Sequence, residues 1–64
     1  GGIVLVEAGA AFDLDQSDVG GLAYARGGLC HMFTSIGEMT AVPPVGVLMD
    51  NSSAAGDIVR VKLL

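Results

Sequence analysis

The sequence predicts an all-β fold, a small antiparallel barrel or sandwich of five to six short strands with Gly-rich loops. Three observations carry that expectation. The apolar runs are four to seven residues long and rich in β-branched side chains, as in IVLV at residues 3–6 and IVRVKLL at residues 58–64. Turn-forming residues separate these runs at roughly ten-residue spacing. Ten glycines and two prolines in 64 residues leave little room for a long helix, because glycine costs about 1 kcal/mol per interior helix site.

The first strand is Ile3–Val6, whose four residues are all apolar and so suit a strand covered on both faces. Glu7 to Ala11 turns around Gly9, and Ala11–Leu14 reads as a short second strand. Asp15 to Gly21 (DQSDVGG) is the clearest loop, with two aspartates, a serine and a Gly-Gly pair. A helix within residues 14–26 is the alternative for this region. Leu22–Arg26 is the next strand, broken by Gly27-Gly28. Leu29–Thr34 and Met39–Val42 then read as a hairpin around Ser35 to Glu38, with Gly37 at the tight position. Pro43-Pro44 ends that hairpin and belongs at an edge or between strands, since proline cannot donate to a ladder.

The last third, PPVGVLMDNSSAAGDIVRVKLL, holds two strands, Val45–Met49 and Ile58–Leu64. Asp50, Asn51, Ser52, Ser53 and Gly56 connect them, and each is a turn former. Asx and Ser side chains bond nearby backbone, while Gly permits positive φ. In the final strand Val59, Val61 and Leu63 share one face and Arg60 and Lys62 the other, the alternation of a half-buried strand.

Length and composition bound the function. Sixty-four residues make one domain, residues 1–64. A core of this size is marginal without a disulfide, a metal or a partner surface. The single cysteine, Cys30, excludes an intrachain disulfide, and one histidine, His31, leaves too few ligands for a structural zinc site. The chain is 52% hydrophobic with a mean hydropathy of +0.64, more apolar than a free-standing domain of this size normally tolerates on its surface. A subunit stabilised by association is the expectation. The net charge of −4 argues against direct nucleic-acid binding, which needs Lys and Arg to neutralise phosphates. No apolar run approaches the ~20 residues of a membrane-spanning helix. The start, GGIVLVEAG, lacks a basic signal-peptide region and an initiator Met, which implies a processed or partial chain.

No catalytic or cofactor set emerges, and the chain reads as a non-enzyme without cofactor or metal. Cys30 and His31 are the only nucleophile and base, but neighbours on a strand point to opposite faces. Cys30 then reads as a small buried residue beside a surface or interface histidine. Asp13, Asp15 and Asp18 open like a calcium loop. An EF-hand would need Gly and Glu where this chain has Asp18 and Tyr24. The glycine pairs lack the G-x-G-x-x-G and Gly-Lys-Ser/Thr patterns of phosphate loops. Met32, Met39 and Met49 with Phe12 and Phe33 read as core or subunit-contact residues.

Residues 45–64 resemble the terminal signature of tailed-phage capsid decoration, or cement, proteins of the DUF2190-like group of small head proteins. The resemblance lies in Gly46-Val47-Leu48, Asp50, the small-residue turn Ser52 to Ala55, Ala55-Gly56-Asp57 and Val59-Arg60-Val61. The hairpin reading of Met32 to Pro43 is similar to the one that precedes this signature in that group. About half the chain is covered, and the first 30 residues match less well. The resemblance implies a virion structural protein on the capsid surface, made in the host cytoplasm. It would bind the outer surface of the major capsid protein lattice as a homo-oligomer, commonly a trimer. The apolar ends, Ile3, Val4, Leu5 and Val6 with Val61, Leu63 and Leu64, are the expected partner-contact residues through added-strand pairing. Two other readings stand beside it. One is a small β-barrel scaffold subunit or fragment of a larger enzyme or ligand-binding assembly. The other is a ligand- or metal-binding module built on the Asp13 to Asp18 loop.

Overall fold

The computed structural model describes residues Gly1–Leu64 as one five-stranded antiparallel sheet. The strands are β1 (Ile3–Glu7), β2 (Leu22–Arg26), β3 (Leu29–Met32), β4 (Gly46–Leu48) and β5 (Ile58–Leu63). Their order across the sheet is β1-β5-β4-β2-β3. The sheet curls until its two edges meet at a single parallel bridge between Ala8 and Cys30, where the Gly9 N–H donates to the Cys30 carbonyl at 2.9 Å. No continuous ladder closes it, so the molecule is an open, barrel-like sheet. No helix is long and apolar enough to cross a membrane.

Period-two alternation explains which side chains line the inside. Val59 and Val61 are almost fully buried, and Val4, Val6 and Leu48 pair with them across the ladder. From the other half of the curl Ala23 and Cys30 complete the core, both buried. The small residues Ala8, Ala23 and Cys30 let the two halves of the sheet approach closely. Phe33 is fully buried beyond the end of β3, with its ring 4.7 Å from that of Tyr24.

Three local expectations are corrected. The hairpin lies between β2 and β3, and its turn is Gly27-Gly28. Both residues have positive φ, +60° and +79°, as a two-residue turn matched to the strand twist requires. Residues Ile36–Thr40, expected to be a turn and a returning strand, instead form a 3₁₀ helix. Its cause is Glu38, whose carboxylate accepts from the Thr34 N–H at 2.6 Å and the Ser35 N–H at 3.1 Å, reaching back over the turn. Ala11–Leu14 is not a strand: Phe12 alone bridges to Ser52, and Leu14–Gln16 is a single 3₁₀ turn with Asp13 at its N-cap. No helix spans residues 14–26. Pro43-Pro44 lies between the second 3₁₀ helix and β4.

The connector between β4 and β5 is tied down at both ends. The Asp57 carboxylate accepts from the Ser53 N–H at 2.7 Å. The Gly56 N–H donates to the Ala8 carbonyl, and the Ala8 N–H donates to the Asp57 carbonyl, each at 2.8 Å. Ala55-Gly56-Asp57 therefore docks the loop on the end of β1. At the loop's start Asp50 forms a two-pronged pair with Arg60, with Nη2 to Oδ1 at 2.7 Å and Nε to Oδ2 at 3.0 Å.

Candidate interaction surface

Only ten residues of the chain are buried, and large apolar side chains remain outside in consequence. They concentrate where β1 and β5 turn their outer face to solvent. Ile3, Leu5 and Ile58 are 56%, 71% and 63% exposed. The ladder sets each beside a charged neighbour, Ile3 opposite Lys62, Leu5 opposite Arg60 and Ile58 opposite Glu7. Leu64, just beyond β5, is similarly exposed. The face is thus a checkerboard of aliphatic groups and long ionic side chains.

The expected contact residues divide between two faces. Ile3 and Leu5 lie on this outer face, and Leu63 and Leu64 are exposed at the end of β5. Val4 and Val6 point inward and pack against the core, and Val61 is a core residue, 2% exposed. Strand pairing through the second of these ends is also ruled out by topology, because β5 lies between β1 and β4 with both of its edges engaged. Of these two ends only β1 lies at an edge of the sheet, the other edge being β3. Ile58, which the outer face adds to the set, was legible in the sequence as the off-phase partner of Val59 and Val61, provided that β5 was known to bury only one side.

The ladder also shows which backbone groups that edge offers. The Leu63 N–H donates to the Gly2 carbonyl and the Ala8 N–H to the Asp57 carbonyl, so the even-numbered residues of β1 bond to β5. By alternation, the N–H and C=O groups of Ile3 and Leu5 point the other way, off the sheet. Beside them opens an apolar cavity of about 140 Å³, lined by Val4, Val6, Ala25, Leu29, Val61 and Leu63 among others. It occupies the gap between β1 and the β2–β3 hairpin, below the point where the edges meet.

A second cluster gathers aromatic and polar side chains. The Tyr24 and His31 rings stack at 5.2 Å and 17°, and the imidazole lies against the Gly9 backbone so closely that any Cβ there would collide with it. They line an open groove of about 380 Å³ with Asp13, Gln16 and Thr34. Its polar groups are partly engaged elsewhere: Asp13 accepts from the Asp15 N–H at 3.0 Å, and the Thr34 hydroxyl donates to Glu38 at 2.6 Å. No group of three His, Cys, Asp or Glu side chains converges as a metal site would require. Cys30 is buried and burial pushes its thiol upward, although a backbone hydrogen bond pulls the other way.

No family model, curated protein or solved structure matches this chain.

Proposed function

We propose that this chain is a capsid decoration protein, a virion structural subunit that binds the outer surface of the major capsid protein lattice of a tailed-phage head and stabilises it. One observation carries the reading. A fold with a very small core holds Ile3, Leu5, Ile58 and Leu64 out in solvent along the outer side of β1 and β5. Such a surface gains most by being covered, and binding to the folded state stabilises that state in proportion to partner concentration and affinity. The interleaved Arg60, Lys62 and Glu7 suit the polar rim of a contact whose centre is aliphatic. The resemblance of residues 45–64 to small phage head proteins supplies the kind of partner.

The test is sedimentation of the purified chain with and without capsid shells. The chain is expected to pellet with shells and to melt at a higher temperature when bound. A stable, soluble chain that stays in the supernatant over shells would overturn the proposal.

A further inference from the structure

We propose that the free edge of β1 pairs antiparallel with β1 of a second copy, joining two sheets into one across a two-fold axis. This goes beyond lattice binding and does not depend on it.

The argument starts from the backbone. Ile3 and Leu5 each present one N–H and one C=O away from β5. Hydrogen-bonded antiparallel pairs exchange both groups of each residue. Setting Ile3 of one copy opposite Leu5 of the other, and the reverse, makes two such pairs. That register uses all four free groups of both chains. Beyond Leu5 the edge is already occupied, since β3 approaches at the Ala8–Cys30 bridge, and the new pairing ends there.

Side chains fit the same register. Val4 meets Val4 of the second copy at the centre, on the inward side, where adjacent β-branched residues pack well. This valine pair lies at the mouth of the 140 Å³ apolar cavity between β1 and the hairpin. On the outward side Ile3 and Leu5 of both copies form one aliphatic cluster. Charge does not oppose the approach. Residues Gly1 to Val6 carry no charged side chain; Arg60, one strand away, is neutralised by Asp50, and Lys62, opposite Ile3, stands on β5, one strand back from the edge. Edge strands that must stay single are usually blunted by a charge, a proline or a bulge, and none of these interrupts Ile3–Val6. A second copy brings the same short uncharged edge, with free groups on two residues only, so that neither chain leaves a group unpaired in this register.

The experiment reads amide hydrogen exchange and sedimentation of the chain across a concentration series. The expected result is a monomer–dimer equilibrium, with exchange at Ile3 and Leu5 slowed about tenfold or more at the dimer end while exposed loop amides stay unchanged. Leu5→Pro removes an N–H that faces outward, not the β5 ladder. It is expected to remain folded and monomeric at every concentration, whereas Ile58→Lys on the same face keeps the dimer. A wild-type chain that stays monomeric throughout would overturn the pairing. So would exchange at Ile3 and Leu5 that is independent of concentration, or assembly larger than a dimer. If Leu5→Pro fails to fold, the wild-type exchange pattern alone decides.

Discussion

Asp50 shows how much of this small protein depends on single polar side chains. Its carboxylate takes the Arg60 guanidinium and also the Arg60 N–H, at 2.9 Å, and these bonds lower it from the ordinary carboxylate value to about 2. The folded state thus holds its charge more strongly than the unfolded chain, whose carboxyl titrates near 3.8. Between those values the unfolded chain binds more protons, so stability present above pH 3.8 is lost as pH falls toward 2. Asp50→Asn should flatten that part of the acid limb, as read by thermal melts from pH 7 down to about 2. Phe33 is the other decisive residue. It is fully buried, and Phe33→Ala should cost about 3–5 kcal/mol. A domain of this size has roughly 3–10 kcal/mol in total, so circular dichroism is expected to show a large fall in melting temperature.

Elements here are short, and their connections decide the register. Gly27-Gly28 is the clearest case, since both residues need positive φ. Gly28→Ala should destabilise the chain by about 1–2 kcal/mol in urea unfolding, the cost of an L side chain in that region. Gly27→Asn should be nearly neutral, because Asn-Gly is a preferred sequence for this turn. Cys30, on the strand that follows, faces the core. Native protein should therefore react slowly with iodoacetamide at neutral pH and quickly once unfolded, a difference read by mass spectrometry.

For the whole molecule the governing fact is the mismatch between apolar content and core size. Ile58→Lys exchanges one exposed aliphatic group for a charge on the outer face of β5. Its stability should stay within about 0.5 kcal/mol of wild type, while retention on capsid shells should fall. The same substitution leaves the β1 edge intact, so shell binding and self-pairing are separable by measurement. Both Val59→Ala and Val61→Ala, in contrast, should lower stability without any direct effect on the outer surface.

Local chemistry was legible in the sequence. Short β-branched runs, the Val59/Val61 against Arg60/Lys62 alternation, the glycine pairs and the Asp-Asn-Ser connector all follow from period-two geometry and from turn formers whose effects extend only a few residues. The 3₁₀ helix at Ile36–Thr40 was missed although its signal, Ser35 with Glu38 three residues on, is local. Strand order was not legible. That β5 is interior and β1 an edge strand, that Val61 lies in the core, and that the Ile3 and Leu5 backbone groups remain free are consequences of pairings between residues as far apart as Ile3 and Lys62. Burial of one face of every strand selects those pairings, and no short segment carries that information alone.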